Sequence, residues 1–468
     1  MAAAVLAIPV LFATPGAARA DQPFSVPASA CVTNGDSAPA IESYLATVPN
    51  GSIVLFPRGA QCEVARTVDL GVPPTGLPNR KDTTIDLHGA TIYRTTEPAC
   101  QKIDTCNGPI VALNLANAVT LQGGSVRGGQ HVDGLPQFDA TREHDHGIAV
   151  HGSQNVTLFG LHISDVGGDC VDVDKQKKDV AGNIRLIGTP GRPFVCEGAG
   201  RQGVSGNAVT DLLIQGVEFD RIASTAVDLE PRHHGYIDTA TVRDDKFGWV
   251  GNYAIAGIGG SETWKDVRIE HNVQTDPAHP GDAFLRAGNS FDRGPLVVVR
   301  NQIRARIQIN HTSGSASGNV LLPGSRVKCM FELFNGPPFE VADSNQHPAS
   351  TELTCALEGK IANAGIVGTA RKLKKYLPLA IVLFVLLVAA VVGFFVWRRR
   401  KHSRKPASAT RPNGNGSGPP AAAKPTDPGA RDAAATEPAE VDAPLFDEGN
   451  VGAPRDGQGT PDPATPAE

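Results

Sequence analysis

The sequence contains few large aromatic side chains. Its 468 residues include 5 tyrosines and 3 tryptophans, too few for the broad aromatic platforms with which many proteins bind neutral sugars. It also lacks a Cys-x-x-Cys motif and any spacing of cysteine and histidine typical of a zinc site. The formal net charge of −5 is slight for this length, which argues against nucleic acid or another strongly charged partner. Polar or anionic sugars fit this composition better than neutral sugars do.

Basic residues are missing from the N-terminal segment before Arg19, so the charged region that normally begins a signal peptide is absent. The rest of the pattern is present. An apolar run covers residues 5–12, and Ala18-Arg19-Ala20 has the small-x-small form of a signal peptidase site. The pattern predicts a signal peptide over residues 1–20.

Charged residues are also missing between Leu377 and Trp397, an apolar run of 21 residues that is long enough to span a bilayer. Four basic residues, 398–401, follow at once, and this bias predicts a cytoplasmic C-terminus. We therefore expect a single-pass type I protein of the cell membrane with an extracellular body. The tail, residues 398–468, is rich in proline, alanine, glycine and acids, and it is predicted to be disordered and cytoplasmic.

The eight cysteines all lie between the predicted cleavage site and the predicted membrane span. An even number of cysteines in an oxidising compartment favours disulfides. Their order along the chain predicts four pairs of neighbours: Cys31 with Cys62, Cys100 with Cys106, Cys170 with Cys196, and Cys329 with Cys355. The sequence alone does not prove this connectivity.

A short phrase recurs seven times between residues 85 and 303. Each copy has alternate apolar residues, as in a strand with one buried face, and then turns at Gly, Asp or Asn, which tolerate positive φ. Four copies match position by position: Ile85-x-Leu87-x-Gly89-x-x-Ile92, Val119-x-Leu121-x-Gly123-x-x-Val126, Val156-x-Leu158-x-Gly160-x-x-Ile163 and Leu212-x-Ile214-x-Gly216-x-x-Phe219. Three looser copies turn at Asp244, at His271-Asn272 and at Asn301. Repeats of this length indicate stacked units, and the pattern predicts an all-β fold, a right-handed parallel β-helix.

The segment before the repeat predicts a cap for the open end of the solenoid. Residues 37–48 have the pattern of a short amphipathic helix with Ser37 as its N-cap. Its buried stripe is predicted to contain Ile41, Tyr44, Leu45 and Val48. Such a helix would cover the strand edges and the core that the first coil otherwise exposes.

The domain boundaries follow from these patterns. The coils are predicted to run to about Gly324, which gives a β-helix ectodomain of residues 21–324. Residues 325–370 contain the last two cysteines and are assigned to a disulfide-bearing stem. The membrane span and the disordered tail complete the chain.

Two stretches resemble a known family. Residues 34–64, NGDSAPAIESYLATVPNGSIVLFPRGAQCEV, resemble the N-terminal capping segment of the pectin-lyase-like β-helix superfamily. In that family an aspartate-rich turn and a helix precede a strand that ends in Phe-Pro-x-Gly. Residues 144–173, HDHGIAVHGSQNVTLFGLHISDVGGDCVDV, resemble the polygalacturonase branch, with Asn-Thr-Asp-Gly in one coil and Asp-Asp-Cys in the next. The resemblance covers roughly residues 30–320 and implies the same fold.

The catalytic set of that branch is incomplete in this chain. Its Asn-Thr-Asp falls on His144-Asp145-His146, which places an imidazole at the carboxylate position. Its Asp-Asp falls on Gly168-Asp169, and the Gly-His-Gly of the next coil falls on residues 224–227, Ser-Thr-Ala-Val. Only Asp169 remains of the set that hydrolyses galacturonan. Inverting glycosidases need an acid and a base about 6.5–9.5 Å apart, so a typical polygalacturonase mechanism is not expected.

Acidic residues at alternate positions predict a different site. Alignment of the coils on Val171 and Val227 stacks Asp172 on Asp228. The same alignment stacks Asp174 on Glu230, and all four carboxylates face outward. Adjacent strands lie about 4.8 Å apart, so these carboxylates repel unless one is protonated or a cation joins them.

Three interpretations of these carboxylates stay open. With Asp169 they are candidates for general acid/base catalysis, which assigns catalytic roles to Asp169, Asp172, Asp228 and Glu230. As an oxygen-rich set, Asp172, Asp174, Asp228 and Glu230 are candidates for a calcium site. The third interpretation is a solvated face neutralised by Arg232 or Lys175. The long segment between Lys175 and Ser205 leaves room for another coil, which would change the stacking.

Basic and aromatic nitrogen groups beside these acids are candidates for ligand binding. In the preceding coil His151 occupies the strand position equivalent to that of Asp174. Arg232 and His233 follow Glu230. His144 and His146 lie in a dense polar cluster at a coil corner, which suits a ligand pocket or a metal. A solvated loop is the alternative for this cluster.

Two functions follow from the sequence. The first is a membrane-anchored extracellular enzyme, a hydrolase or lyase, that binds and cleaves an acidic or cell-wall polysaccharide. The second is a non-catalytic surface solenoid that binds a glycan or another protein. The predicted anchor and tail fit the second function better, because many degradative enzymes are released to diffuse. The β-helix fold hosts both classes and does not decide between them.

Overall fold

The computed structural model describes residues 22–71, 79–95, 108–231, 235–257, 264–288, 295–310, 312–334 and 338–357. Their strands form three sheets. Sheet A contains β1 (Phe24–Ser25), β2 (Ile53–Leu55), β5 (Lys81–Asp86), β8 (Asn117–Gln122), β11 (Gln154–Phe159), β14 (Gly182–Ile187), β17 (Val209–Gln215), β20 (Ile237–Arg243), β23 (Trp264–Glu270), β26 (Leu296–Val299), β29 (Gly314–Ser317) and β32 (Phe339–Val341). Sheet B contains β3 (Gln61–Glu63), β6 (Thr91–Tyr93), β9 (Ser125–Arg127), β12 (His162–Ser164), β15 (Phe194–Ala199), β18 (Val217–Ile222), β21 (Lys246–Phe247), β24 (Val273–Gln274), β27 (Gln302–Ile303) and β30 (Val320–Leu321). Sheet C contains β4 (Val68–Asp69), β7 (Val111–Ala112), β10 (Ile148–His151), β13 (Val171–Asp174), β16 (Gln202–Gly206), β19 (Thr225–Leu229), β22 (Tyr253–Gly257), β25 (Ala283–Ala287), β28 (Arg306–Ile309), β31 (Cys329–Phe334) and β33 (Glu352–Leu357).

Each coil contributes one strand to each sheet, in the order A, B, C. The pairings are parallel and join equivalent strands of successive coils, as β11 pairs with β14 and β14 with β17. Sheet B has ten strands, so ten coils are complete within the described residues. The parallel β-helix predicted from the repeat is confirmed, and its coils outnumber the seven copies of the phrase. The right hand of the coil remains a prediction, from the rule for parallel crossovers.

The turn between sheet A and sheet B repeats one backbone conformation in coil after coil. It is left-handed at Gly123, Gly160, Gly216, Asp244, His271 and Arg300, with φ of 72°, 57°, 66°, 59°, 58° and 55°. The N–H of Gly89 donates to the carbonyl of Gly123 at 2.6 Å, which places Gly89 at the same corner. The four glycines thus share one corner, although the register pairs Ile85 with Leu121 and so displaces the first copy of the phrase by two residues. In the last loose copy the turn lies at Arg300, one residue before the predicted Asn301.

One coil was missing from the sequence prediction. Strands β14, β15 and β16 form an additional coil between residues 182 and 206. Its first strand carries the same phrase, Ile184-x-Leu186-x-Gly188, with both apolar side chains buried. A short antiparallel bridge between Thr189 and Arg192 then lengthens the turn, so the spacing to the next strand is irregular. The alignment of Val171 with Val227 is consequently wrong by one coil.

The N-terminal cap is present as predicted. Helix α1 spans Ala38–Thr47, with Ile41, Leu45 and Val48 buried and Tyr44 half-buried. Ser37 occupies the N-cap position, but its hydroxyl donates to the carbonyl of Val32 instead of accepting from the helix. Asp36 Oδ1 accepts the N–H of Ala38 in its place, at 3.1 Å.

The β-helix is longer than predicted at its C-terminal end. Strand β31 pairs with β28, β32 with β29, and β33 with β31. Residues 329–357 therefore continue sheets A and C, and the assignment of this segment to a separate stem beyond Gly324 is wrong. A strand with a free edge and an apolar face gains stability by pairing with the preceding coil, which is why this segment joins the solenoid.

Three of the four predicted disulfides are confirmed: Cys31–Cys62, Cys170–Cys196 and Cys329–Cys355. The fourth pair, Cys100 with Cys106, lies outside the described residues, as do the predicted signal peptide, membrane span and tail. Within the described ranges, no helix has the length and apolar character needed to cross a membrane.

A ladder of buried asparagines supports the later coils. Asn272, Asn301, Asn319 and Asn345 stack at one corner, each side-chain amide donating to the Oδ1 or backbone carbonyl of a neighbouring coil at 2.9–3.0 Å. Asp245 begins this ladder. Its N–H donates to Asn272 Oδ1 at 3.0 Å and its Oδ1 accepts the N–H of Val217 at 2.7 Å. The other oxygen, Oδ2, is buried without a hydrogen-bond partner, and burial raises the pKa of Asp245 well above its ordinary value.

Candidate functional site

Polar side chains gather on the outer face of sheet C, over β10, β13, β16 and β19. Val171 and Val173 of β13 point into the core, so alternation directs Asp172 and Asp174 outward. The register places Asp172 beside Ser205 and Ser205 beside Asp228. The group, called the sheet C cluster below, consists of His146, His151, Asp169, Asp172, Arg201, Gln202, Ser205 and Asp228.

The predicted stacking of acids on adjacent coils is wrong. The additional coil places Ser205 between Asp172 and Asp228. In the second row Asn207 lies between Asp174 and Glu230, because the N–H of Asn207 donates to Val173 and that of Glu230 to Gly206. Each predicted column of paired carboxylates is thus interrupted by a neutral residue. The position of His151 beside Asp174 is confirmed.

Asp169 is fully buried and belongs to the supporting structure of the cluster. Its Oδ2 accepts from the hydroxyl of Ser205 at 2.6 Å and lies 3.3 Å from Arg201 Nη1, and its Oδ1 accepts the N–H of Gln202 at 3.1 Å. Burial lowers the pKa of Arg201, but Asp169 and the other carboxylates nearby raise it by more. Asp169 is thus enclosed by Arg201, Ser205 and the backbone of Gln202 and is not open to a ligand.

Asp172 is surrounded by hydrogen-bonding groups. His151 Nε2 lies 2.7 Å from its Oδ2, and Asn207 donates to its Oδ1 at 3.0 Å. The Ser205 hydroxyl lies 2.9 Å from this Oδ1 and 2.6 Å from Asp169 Oδ2, so its one proton is shared between the two carboxylates. Burial raises the pKa of Asp172, but His146 and His151 lower it by more, so the net pKa lies below its ordinary value. The pKa of His151 is lowered by burial and raised by more by the hydrogen bond and charge of Asp172. The predicted exposed carboxylate is thus a mostly buried one, with 10% of its side chain exposed.

The remaining acids of the prediction differ in exposure. Asp228 is buried and accepts a hydrogen bond from Gln202 Nε2. Asp174 and Glu230 are partly exposed. The carboxylate of Asp174 accepts the N–H of Lys175 at 2.7 Å, and burial raises the pKa of Asp174. Arg232 and His233, predicted to continue this patch, lie outside the described residues.

The donor set does not fit the predicted metal site. The calcium set of Asp172, Asp174, Asp228 and Glu230 is separated by Ser205 and Asn207, as described above. His146, Asp169 and Asp172 do bring one ligand atom each within 4.8 Å of the others.

That smaller group is also unsuited to a metal. His146 Nδ1 accepts the N–H of Asp169 at 3.1 Å, so the lone pair of this nitrogen is already used. Asp169 Oδ2 lies 3.3 Å from Arg201 Nη1 and accepts from the hydroxyl of Ser205. The group is therefore better described as a hydrogen-bond network than as a metal centre.

The corner before β10 separates into an exposed and a buried part. His144 is exposed and lies 3.4 Å from the Glu143 carboxylate, and its ring contacts that of His146 edge-on at 6.0 Å. Asp145 is buried and pairs with Arg94 at 2.9 Å and with Arg142. Asp145 thus fixes the corner, while His144 is exposed and His146 is 5% exposed.

Sequence reasoning missed Arg201, Gln202 and Ser205, because it missed their coil. Cys170 N–H donates to the carbonyl of Gln202, so the register places Gln202 in the coil next to Asp169. The family's Gly-His-Gly therefore corresponds to Arg201-Gln202-Gly203 and not to residues 224–227. The signal that reveals this coil in the sequence is the repeat phrase at Ile184.

The arrangement is rich in hydrogen-bonding groups but poor in free acids. Asp169 is sequestered, and both oxygens of Asp172 are occupied by protein donors. A general acid or base has to reach the proton that it transfers, within about 2.6–3.2 Å or through one water. Among the described members of the cluster, Asp169 and Asp172 do not offer such an oxygen. The cluster can donate and accept hydrogen bonds at its rim, through His151, Asp174, Asn207 and Glu230.

Comparison with known proteins gives similarities of fold. No family model and no curated protein sequence matches the chain. Among solved structures it is similar to endo-xylogalacturonan hydrolase from Aspergillus tubingensis, at 13% identity and a TM-score of 0.43, over 72% of this chain and 99% of that chain. It is also similar to the surface adhesin PfbA of Streptococcus pneumoniae, at 12% identity and a TM-score of 0.45, over 71% of this chain and 99% of that chain. A third structure, alginate lyase from a Paenibacillus species, has 13% identity and a TM-score of 0.42, over 68% of this chain and 96% of that chain.

Proposed function

We propose that this protein binds an acidic or cell-wall polysaccharide along the outer face of sheet C and does not cleave it there. The observation that carries the proposal is the ladder of polar groups on three successive coils. Asp172, Ser205 and Asp228 form one row of this ladder. This row is buried and held by protein partners, so the regularly spaced partners for an extended, hydroxyl-rich polymer, about 4.8 Å apart, come from the row beside it.

The second row supplies the partly exposed groups. Asp174, Asn207 and Glu230 are partly exposed and lie in successive coils. Carboxylate and amide oxygens accept from sugar hydroxyls, and hydrogen bonds to a charged group are stronger than those between neutral groups. Tyr253 is partly exposed at the start of β22 on the same face, so hydrogen bonds rather than aromatic stacking dominate this surface.

The state of the carboxylates favours binding over cleavage. The family resemblance left Asp169 as the sole catalytic acid, and Asp169 is fully buried against Arg201. Asp172 and Asp228 belong to coils two apart, so their separation by strand spacing is about 9.6 Å. That distance is at the upper limit for an inverting pair, but the oxygens of Asp172 are saturated by protein donors.

Binding can be tested with full-length protein on a panel of immobilised acidic and neutral cell-wall polysaccharides. Replacement of Asp174 and Glu230 together by alanine is expected to weaken binding by about tenfold, because two charge-assisted hydrogen bonds are lost. A matched control is Glu218→Ala with Asp220→Ala, two exposed acids at alternate positions of β18 in sheet B. This control should bind like the wild type.

Two results would contradict the proposal. Equal weakening in the two double variants would mean that the face of sheet C has no special role. Release of reducing ends, or of unsaturated sugars that absorb in the ultraviolet, would show cleavage. Cleavage that Asp172→Asn abolishes would assign the reaction to the cluster.

We further propose that this surface lies outside the cell, with residues 377–397 as its membrane anchor. The apolar run, the basic residues after it and the three disulfides support this placement. Protease added to intact cells is expected to remove the body, residues 21–370, and to leave a small fragment that contains residues 398–468. Immunoblotting with an antibody to the C-terminus measures the fragment, and protection of the body in intact but not in lysed cells would reverse the orientation.

A further inference from the structure

Arg286 stands out on the same face because its positive charge has no acidic partner. It lies in β25, beside Ala256 of β22 and Gln308 of β28. Within the described ranges, no carboxylate oxygen lies within 4.0 Å of its guanidinium, although Arg286 is only partly exposed. A partly buried arginine normally spends its five donors on fixed partners.

Tyr253 holds this guanidinium in place. The carbon of the guanidinium lies over the ring of Tyr253, 5.2 Å from its centre, and Arg286 Nη1 donates to the tyrosine hydroxyl. These contacts use the face of the guanidinium and one of its donors. The other donors remain in a fixed orientation, so an incoming anion does not have to order a flexible side chain.

The neighbouring acids are already engaged or distant. Glu332, on the far side of Gln308, accepts from Arg306 at 3.1 Å and from Gln308 at 2.9 Å. Asp228 lies on the other side, with Ala256 between it and Arg286. Ala256 places no charged group between Asp228 and Arg286.

We propose that Arg286 and Tyr253 form an anion subsite that binds a carboxylate or sulfate group of the polysaccharide. The guanidinium fork matches two oxygens of either group, and Tyr253 is a positioning residue. This proposal rests on the proposed function and adds to it a chemical requirement for the ligand. Sugars bound along the partly exposed row of Asp174, Asn207 and Glu230 contribute hydroxyls, and an acidic sugar two coils further along contributes the charge.

The subsite can be tested with full-length protein and three small probes: glucuronate, glucose 6-sulfate and glucose. Isothermal titration is expected to show tighter binding of one or both anions than of glucose. Arg286→Gln should weaken binding of the preferred anion by about tenfold or more, because a charge-assisted pair of hydrogen bonds is lost. It should leave glucose binding unchanged. Arg286→Lys keeps the charge without the fork and should recover only part of the loss.

Two further variants separate positioning from charge. Tyr253→Phe keeps the ring but removes the hydroxyl, and it should weaken anion binding by about two- to tenfold, as for one hydrogen bond. Arg306→Gln removes an arginine from the same face whose charge is already neutralised by Glu332, and it should leave the affinity for the anion unchanged. Circular dichroism of each variant checks that the fold is retained.

The outcomes distinguish this inference from the proposed function. Equal affinity of the wild type for glucose and both anions, or an unchanged anion affinity in Arg286→Gln, would overturn the subsite. The same variants are then measured on hyaluronan, dextran sulfate and dextran. If the wild type binds the small anions through Arg286 but none of the polymers in the wider panel, the subsite stands and the polysaccharide function fails.

Discussion

Replacement of Asp169 by alanine is expected to lower the free energy of unfolding by about 3–5 kcal/mol, the cost of removing one partner of a buried ion pair. Asp169 is fully buried, and its loss removes the carboxylate that pairs with the mostly buried Arg201 and the acceptor of the N–H of Gln202. Urea unfolding of the oxidised protein, followed by circular dichroism, measures the change.

A matched pair on the surface provides the control for Asp169. Asp211 lies 3.8 Å from Arg185 on sheet A, with about half of its side chain exposed. Asp211→Ala is expected to change the free energy by at most about 1 kcal/mol. The double variant Asp169→Leu with Arg201→Met should be more stable than Asp169→Ala, because no charge is left buried alone. Unchanged stability of Asp169→Ala together with loss of a measurable turnover would instead assign Asp169 a catalytic role.

Replacement of Asp245 by asparagine is expected to stabilise the protein by about 1–3 kcal/mol at neutral pH, the cost of an unsatisfied buried polar group. Asp245 begins the asparagine ladder, and its Oδ2 is buried without a hydrogen-bond partner. An amide nitrogen at that position can donate to the preceding coil, as the side chains of Asn272 and Asn301 do. The substitution also removes a group whose ionisation opposes folding.

The effect of Asp245→Asn should depend on pH. Burial raises the pKa of Asp245 in the folded state, so the folded protein holds this proton more tightly than the unfolded chain does. The stability that the proton contributes is complete below the unfolded pKa of about 3.9 and is lost as the pH rises through the folded pKa. The difference between variant and wild type should therefore be smallest near pH 4 and should widen toward pH 7.

The neighbouring Asp244 gives the control for this experiment. About half of its side chain is exposed, and it occupies the left-handed corner, which asparagine tolerates. Asp244→Asn should leave the stability and its pH dependence close to those of the wild type. A difference in the free energy of unfolding between Asp245→Asn and the wild type that stays constant from pH 4 to pH 7 would contradict a buried, protonated carboxyl at position 245.

The sequence was sufficient for the architecture because the solenoid repeats a local rule. Alternate apolar residues followed by a turn residue recur at Gly123, Gly160 and Gly216, and each coil obeys the same geometry as the last. The prediction failed where the rule was interrupted. After Gly188 a small bridge between Thr189 and Arg192 lengthens the coil, so the phrase at Ile184 was not recognised as a copy.

The omission of the coil at residues 182–206 also limited how much of the site could be predicted. The choice of face was correct, because side chains alternate along β13 whatever its neighbours are. The neighbours depend on the number of coils, and one additional coil replaced Asp228 by Ser205 beside Asp172. The burial of Asp169 could not be predicted either, because no local sequence pattern indicates that Arg201 packs against it. Arg286 and Tyr253 lie 33 residues apart, and only the register brings them together.

The positions of the described disulfides have a consequence for the way in which the molecule opens. Cys31–Cys62 ties the segment before α1 to the first coil, and Cys329–Cys355 ties the last two strands of sheet C together. In a solenoid each coil contacts only its neighbours, so the end coils, which lack one neighbour, are the natural places for fraying to begin. Cross-links there reduce the freedom gained by an end that opens. Reduction of these bonds would thus allow the coils to unfold one after another from the two ends inward.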